Sequence, residues 1–299
     1  MDQWQFKPID EQAANELESF LPDRIFDVHA HIYRVADLHA PESSLVSQGP
    51  MEVGIDVWRE HGGRMMGASR LQGGLFLATP QPDCEIDKIN DYMVAQLGTD
   101  PGSRGSIIIT PDSSLDKVDA YLRHPQVVGF KPYHFYSTEK PEGSTFFAPI
   151  SGYLPEWAWE MADERGLVIT LHMVKRGALA DPENQREIRE MCDKYPNAKL
   201  ILAHAARGFH APNTVKGLPV LRGLQNVWFD MAAVCEAEAL LAILSEFGPR
   251  KLLWGSDFPV SEMRGRAVTV GDGFVWLDPD TVKWEQTSHL CNPILVGLE

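Results

Sequence analysis

Residues 24–31 read Arg24-Ile25-Phe26-Asp27-Val28-His29-Ala30-His31, a short apolar run that ends in two histidines. Its length and its branched and aromatic side chains are typical of a buried β-strand. Side chains of a strand alternate between its two faces. The pattern therefore predicts that the two histidines share one face. The residues predicted on that face are Ile25, Asp27, His29 and His31.

Similar runs recur along the chain, separated by stretches with helical spacing of apolar residues. Strands that alternate with helices are typical of a parallel sheet covered by helices. Eight such units in a chain of 299 residues predict an α/β fold, the (β/α)8 barrel, which usually takes roughly 250 residues. The predicted strands are residues 24–29, 73–78, 105–110, 127–133, 167–173, 199–205, 227–232 and 251–257.

Helices are predicted between these strands from apolar residues at a period of 3.6. The clearest are residues 85–96, 114–123, 154–165, 183–194 and 236–246, and weaker patterns cover 51–66 and 218–224. No composition shift divides the chain, so we expect one domain over residues 1–299, with its core at 24–259. Residues 260–299 are rich in Gly, Asp and Pro, and we expect an irregular segment there in place of the last barrel helix.

Charge and composition exclude several classes of partner. The chain has 27 Lys and Arg against 42 Asp and Glu, a formal net charge of −15. Because this charge repels phosphates, neither nucleic acid nor an anionic membrane is expected as a partner. No signal-peptide pattern and no run of roughly 18 apolar residues is found, so a cytoplasmic location is expected. The cysteines, Cys84, Cys192, Cys235 and Cys291, are far apart and are interpreted as reduced thiols.

Polar side chains that can bind a metal end several of the predicted strands. Besides His29 and His31, they are Lys131, His172, His204 and Asp257. Each alone is more often a hydrogen-bonded core group or a loop cap, but the carboxyl ends of all barrel strands meet at one face. Imidazole nitrogens and carboxylate oxygens suit zinc and similar ions, which lower the pKa of a bound water to about 7. The sequence therefore predicts a metal site and hydrolytic chemistry.

Further polar residues fall just past the strand ends, where loops can reach a substrate. Arg34, Tyr133, His134 and Arg207 are predicted to bind it. The planar fork of arginine fits a carboxylate, although most arginines in such loops are solvated. The expected partner is thus a small molecule that carries a carboxylate.

Four segments resemble motifs of the amidohydrolase superfamily, in particular its branch of metal-dependent hydrolases, lactonases and decarboxylases. They are residues 26–31, 129–131, 202–208 and 254–259, and the resemblance runs from about residue 24 to 259. It implies that His29, His31, His172 and Asp257 bind the catalytic metal, and that Asp257 also moves a proton from water to the leaving group. His204 would polarise the substrate carbonyl or bind a second metal.

The resemblance leaves the number of metal ions open. In binuclear members a lysine of the fourth strand, here Lys131, is carbamylated and bridges two ions, whereas many members of the decarboxylase branch hold one. Zinc is the first expectation, with manganese, iron and cobalt as alternatives.

Three functions are considered. The leading one is a hydrolase of a small carboxylate-bearing amide, ester or lactone. The alternative is a non-oxidative decarboxylase of an aromatic or unsaturated acid, and a minor one is a barrel that only binds its ligand. Residues 1–20 are expected to cover a barrel end or a neighbouring subunit, which leaves a homo-oligomer open.

Overall fold

A nine-stranded sheet forms the centre of the molecule in the computed structural model, which describes residues 4–278. The strands of this sheet are β1 (Ile25–Arg34), β2 (Glu52–Val53), β3 (Leu71–Ala78), β4 (Arg104–Ile109), β5 (Val127–Pro132), β6 (Val168–Leu171), β7 (Lys199–Leu202), β8 (Val227–Asp230) and β9 (Leu252–Leu253). β2 pairs with the end of β1 in antiparallel fashion, and the other eight strands run parallel in the order β1, β3 to β9.

Backbone hydrogen bonds between the last and first strands close this sheet into a barrel. The amide of Val28 donates to the carbonyl of Trp254 at 3.1 Å, and that of His31 to Phe258 at 2.6 Å. In the other direction the amide of Asp257 donates to the carbonyl of His29 at 2.7 Å. The predicted (β/α)8 barrel is confirmed, with later strands shorter than predicted.

Helical segments alternate with the strands, and the longer ones cover the outside of the barrel. They are α1 (Pro8–Leu17), α2 (Val35–Leu38), α3 (Ile55–Met66), α4 (Ile86–Leu97), α5 (Leu115–Leu122), α6 (Glu156–Arg165), α7 (Pro182–Lys194), α8 (Ala203–Arg207), α9 (Ala211–Gly217) and α10 (Ala237–Phe247). The five clear helices of the sequence prediction are confirmed as α4 to α7 and α10. The weaker segment 51–66 contains α3, and 218–224 begins with a short 3-10 helix, Leu218–Leu221.

A β-bulge in β1 changes the face that Asp27 occupies. The register against β3 shifts between Asp27 and Ala30, and a bulge adds one residue that reverses the alternation beyond it. The Asp27 carboxylate accepts a hydrogen bond from Trp58 of α3 at 2.9 Å, so it faces the helices, while His29 and His31 face the lumen. The prediction that Asp27 shares the face of the histidines was wrong, because strict alternation ignores the bulge.

Segments at both ends of the described chain meet where the barrel closes. α1 packs against α3, and its buried Asp10 pairs with Arg264, which follows β9. Residues after Arg264 form a hairpin of β10 (Arg266–Val270) and β11 (Gly273–Leu277), where the sequence predicted irregular structure. A short 3-10 helix, Val260–Glu262, follows β9, and residues 279–299, with Cys291 and the rest of the segment predicted to be irregular, lie outside the described part.

Two apolar regions hold the barrel together. Leu75, Leu77 and Ile201 fill the lumen, whereas a larger cluster packs the outer strand faces against the helices. A third, smaller cluster holds the β10–β11 hairpin through Phe209 and Ala267. Among the described helices, none has the length and apolar character needed to cross a bilayer.

Candidate metal centre

His29, His31 and Asp257 come together at the carboxyl end of the barrel. The Nε2 atoms of His29 and His31 lie 3.3 and 3.5 Å from the Oδ1 atom of Asp257. β1 supplies both histidines, and the closing contacts between β1 and the chain after β9 bring Asp257 beside them. All three side chains are buried.

Burial and neighbouring charges set the protonation of these groups. Burial lowers the pKa of His29 and of His31 below the ordinary imidazole value, and the nearby Lys131 ammonium lowers both further. Burial alone would raise the pKa of Asp257, but the imidazoles around it, that of His204 first, lower this pKa well below its usual range. At neutral pH the site therefore presents neutral imidazoles to a carboxylate anion.

A buried carboxylate, Asp230 of β8, fixes the orientation of His29. Its Oδ2 atom lies 2.9 Å from His29 Nδ1, and its Oδ1 accepts the amides of His204 at 2.8 Å and Ala232 at 3.2 Å. A carboxylate accepts, so the neutral His29 ring carries its proton on Nδ1 and directs the Nε2 lone pair at Asp257. The sequence reasoning did not identify Asp230, although it is the only acidic residue in the predicted seventh strand.

These contacts show why a cation fits the site. Without one, the Nε2 lone pair of His29 faces a carboxylate oxygen at 3.3 Å, and two acceptors repel each other. Donors 2.0–2.1 Å from one tetrahedral zinc ion lie roughly 3.3–3.4 Å apart, close to the two distances to Asp257. The ligand atoms of His29, His31 and Asp257 all lie within 4.8 Å of one another. These residues therefore fit a divalent ion.

Lys131 of β5 lies beside this group. Its Nζ atom is 3.5 Å from His29 Nε2, and the residue is 1% exposed. Burial lowers the pKa of Lys131 to about 8, although the carboxylates of Asp257 and Asp230 act in the opposite direction. A considerable fraction of neutral amine is thus present at slightly alkaline pH, the form that can react with carbon dioxide.

His204 lies on the other side of Asp257. Its Nδ1 atom is 2.9 Å from the carbonyl of Ala232 and 3.9 Å from Asp257 Oδ2. Because a carbonyl only accepts, Nδ1 carries the proton and Nε2 has the free lone pair. Burial lowers the pKa of His204 and keeps the ring neutral.

His172 follows β6, and its ring centre lies 5.1 Å from that of His204. Its Nδ1 atom is buried and has no hydrogen-bond partner in the described structure. Burial and the charges around it lower the pKa of His172 well below the imidazole value. The structure thus places His172 in the same pocket, but outside the close group of His29, His31 and Asp257.

α8, which follows β7 directly, is a left-handed turn. His204, Ala205, Ala206 and Arg207 have φ values of 57°, 51°, 59° and 62°. For residues other than glycine this region costs roughly 1–2 kcal/mol each. Backbone strain of this kind concentrates at functional sites, and here it presents His204 and Arg207 from a single turn.

A cavity of about 370 Å³ opens above the metal centre. Its base contains the six predicted metal-site side chains, His29, His31, Lys131, His172, His204 and Asp257. Its walls are mainly apolar and include Leu45, Val46, Phe209, Met263 and Trp276. The β10–β11 hairpin thus contributes a wall that the sequence analysis did not predict.

The four predicted substrate-binding residues occupy different places. Tyr133 lines the cavity, and His134 stacks near His172 with 6.3 Å between ring centres. Arg207 lies beside these residues, over the ring of Phe146. Arg34 is not brought to the cavity, because its Nε pairs with Asp37 at 2.7 Å.

Comparison with known proteins identifies the family of the chain. The profile of a family described as Amidohydrolase matches residues 26–282, so the chain belongs to the amidohydrolase family. No curated protein matches the chain.

Several solved structures resemble the fold. They include a zinc-bound amidohydrolase from Burkholderia multivorans (16% identity, 79% of this chain and 84% of that chain, TM-score 0.57). A 5-carboxyvanillate decarboxylase from Sphingomonas paucimobilis has 14% identity over 80% and 89% of the chains, with a TM-score of 0.54. A 4-oxalomesaconate hydratase from Rhodopseudomonas palustris has 12% identity over 81% and 83%, with a TM-score of 0.51. The family and these similar structures are enzymes, and their reactions differ.

Proposed function

We propose that the protein is a metal-dependent hydrolase that cleaves a small amide, ester or lactone bearing a carboxylate, with water as the nucleophile. The observation that carries this proposal is the position of Asp257. Its Oδ1 atom faces the Nε2 atoms of both β1 histidines, and its Oδ2 atom faces His204. One carboxylate therefore touches both the metal-binding group and the residue that would contact the substrate.

The side chains of the site have different proposed roles. His29, His31, His172 and Asp257 would hold the ion, and Asp230 keeps the proton of His29 on Nδ1, which leaves its Nε2 atom free to bind a metal. A divalent ion supplies a lowered pKa for bound water and a Lewis acid for the carbonyl. Asp257 accepts the proton of the attacking water and delivers it to the leaving group. His204 polarises the carbonyl or holds a second ion through its free Nε2.

Zinc is the proposed metal, because two or three imidazoles and one carboxylate match its usual ligands, and manganese, iron or cobalt are the alternatives. The number of ions depends on Lys131. If its amine were carbamylated, the new carboxylate would supply an anionic ligand for a second ion. The pKa of Lys131, lowered to about 8, and its 3.5 Å contact with His29 support this arrangement. If it stays an amine, the site holds one ion.

A decarboxylase of an aromatic acid is the second candidate. Tyr133, Phe209 and Trp276 give the cavity flat aromatic walls that suit a planar substrate. The same metal residues would then orient the carboxylate, and His204 would protonate the carbon that loses carbon dioxide. A barrel that only binds its ligand is the minor alternative. The approach of His29 and His31 to the buried Asp257 carboxylate at 3.3 and 3.5 Å, which fits a bound cation, argues against it.

The location and the partners stay predictions. We propose a cytoplasmic enzyme whose partner is a small molecule rather than nucleic acid or membrane, consistent with the net charge of −15. Part of the N-terminal segment, residues 1–20, forms α1, and α1 packs against α3 of the same chain. A homo-oligomer is tested by the mass of the protein in solution.

The reaction is tested on zinc-loaded and manganese-loaded full-length protein. Carboxylate-bearing lactones and esters are assayed for proton release, N-acyl amino acids for the free amine, and aromatic acids for carbon dioxide. We expect release of a proton or an amine that Asp257→Asn abolishes and that Asp112→Asn, the same change at an exposed aspartate, leaves intact. Carbon dioxide without hydrolysis would establish the decarboxylase instead, and absence of both reactions with no bound metal would leave the binding barrel.

Metal content distinguishes the two forms of the site. Elemental mass spectrometry gives moles of metal per chain for wild type, Lys131→Ala and the exposed control Lys140→Ala. Two ions that decrease only in Lys131→Ala indicate the carbamate-bridged hydrolase. One ion that neither substitution affects indicates a mononuclear site and favours the decarboxylase.

A further inference from the structure

Arg207 is a partly buried cation with no anionic partner in the part of the chain that the structure describes. Neither an ion pair nor a hydrogen bond of its guanidinium is found within residues 4–278. Several other arginines behave differently: the partly buried Arg34 and Arg59 and the buried Arg264 each lie against a carboxylate. The chain has 42 acidic side chains against 27 basic ones, yet no carboxylate of residues 4–278 forms an ion pair with Arg207.

Two aromatic rings hold the guanidinium in place. Its Cζ atom lies 5.1 Å from the ring centre of Phe146 and 5.9 Å from that of Phe274. Rings interact with the faces of a guanidinium and leave its N–H groups at the edge available for a planar anion. Burial lowers the pKa of Arg207, as expected for a cation that has given up part of its hydration.

This cation lies next to the metal pocket. Arg207 is three residues after His204 on the left-handed turn α8. Burial and the charge of Arg207 lower the pKa of His134 to about 4. The same charge contributes to the low pKa of His172. Phe274, on which it rests, contacts Phe209 of the cavity wall with 5.2 Å between ring centres.

A second polar group is available at the same place. The Tyr153 hydroxyl is fully buried and has no hydrogen-bond partner in the described structure. Tyr153 is close enough to Arg207 for each charge to affect the pKa of the other group. Buried hydroxyls and cations without partners are costly, so a ligand that satisfies both binds favourably.

We propose that Arg207 anchors a second anion subsite, which binds a carboxylate of the substrate remote from the group that reacts at the metal. The inference rests on the proposed function, because it assumes that the substrate enters the metal cavity. It narrows the substrate class to molecules with two polar ends: a reacting carbonyl or carboxyl group at the metal and a carboxylate at Arg207. Such a substrate satisfies the planar fork of Arg207 by two parallel hydrogen bonds.

The test measures binding rather than turnover, so that it does not depend on the reaction. Zinc-loaded full-length protein is titrated by calorimetry with flexible dicarboxylates from succinate to pimelate, each compared with its monoamide. One length of this series is expected to bind at least about tenfold more tightly than its monoamide. Arg207→Met is expected to abolish that preference and leave the affinity for the monoamide within about twofold, and Arg207→Gln does the same.

The control is Arg123→Met, which removes an arginine whose side chain is 74% exposed, and it keeps the preference. If no dicarboxylate binds more tightly than its monoamide in wild type, or if both Arg207 variants keep the preference, the subsite does not exist. If neither Arg207 variant folds, the absence of a preference in wild type alone still overturns the subsite. A preserved preference in a protein that hydrolyses none of the assayed substrates would overturn the proposed reaction and support the subsite.

Discussion

Replacing Asp230 by asparagine changes only one atom type, and we expect it to weaken metal binding strongly. In the native site one oxygen of Asp230 accepts the Nδ1 proton of His29, and the other accepts two backbone amides. Asparagine has one acceptor and one donor end. If its oxygen keeps the amides, its NH2 group faces His29 Nδ1, so the imidazole must move its proton to Nε2, the atom that would bind the metal.

The magnitude follows from these contacts. Loss of a partner that orients a ligating histidine typically lowers metal affinity about 10- to 100-fold, or roughly 1.4–2.7 kcal/mol. The opposite rotation of the amide instead sets its NH2 group against the N–H groups of His204 and Ala232. A buried donor without an acceptor costs about 1–3 kcal/mol. We therefore expect a comparable loss in the free energy of unfolding of the metal-free protein.

Zinc affinity is measured by competition with a chromophoric chelator at pH 7.5, and stability by urea denaturation of the metal-free protein. Asp112→Asn, at an exposed aspartate, provides the matched control and should behave as wild type. A folded Asp230→Asn variant that binds zinc within twofold of wild type would refute the assignment of the His29 tautomer and, with it, the argument that a cation is needed beside Asp257.

Three further outcomes are expected from other parts of the molecule. Ala206→Gly relieves the strain of a left-handed residue (φ 59°) and should leave the free energy of unfolding unchanged or higher, whereas Ala162→Gly, in right-handed α6, should lower it by about 1 kcal/mol or more. Equal losses for the two variants in urea denaturation would contradict the left-handed turn. Asp10→Asn leaves the buried Arg264 charge without this carboxylate and should lower the free energy of unfolding by about 3 kcal/mol, against at most about 0.5 kcal/mol for Asp193→Asn at an exposed pair with Arg189. Similar melting temperatures for the two variants would show that the buried pair is not formed. Burial raises the pKa of the Cys192 thiol to about 12, so almost no thiolate is present at pH 8, and a thiol reagent with peptide mapping should label Cys192 only after unfolding; rapid labelling of the native protein would show that it is accessible.

Much of the barrel, and the grouping of the predicted metal-binding side chains in one cavity, could be predicted from the sequence because both depend on local patterns. Each predicted strand is a short apolar run, and the side chains at its carboxyl end converge at one face for any (β/α)8 barrel. That rule places His204 and Asp257 in the same cavity, although they lie on different strands. Side-chain alternation failed where a bulge intervenes, as at Asp27.

Features that depend on three-dimensional contacts could not be predicted in this way. Asp230 contacts a histidine 201 positions away, and nothing near it in sequence indicates this contact. The β10–β11 hairpin, whose Trp276 lines the cavity, lies in a segment that its Gly and Asp content made us predict as irregular. Arg34 and Arg207 both fall just past predicted strand ends. The structure shows that Arg34 pairs with Asp37, whereas Arg207 lies over the ring of Phe146.

The closing contacts between β1 and the chain after β9 determine when the site can exist during synthesis. The hydrogen bond from the Ser256 amide to Asp27 joins residues 229 positions apart, and Asp257 joins His29 and His31 at the same place. At roughly 5–20 residues per second, a ribosome takes about 10–45 s to add the intervening residues. During that time the histidines lack their carboxylate, so a nascent chain has no complete set of ligands. A metal ion held by these residues would therefore be loaded late, after translation of almost the whole barrel.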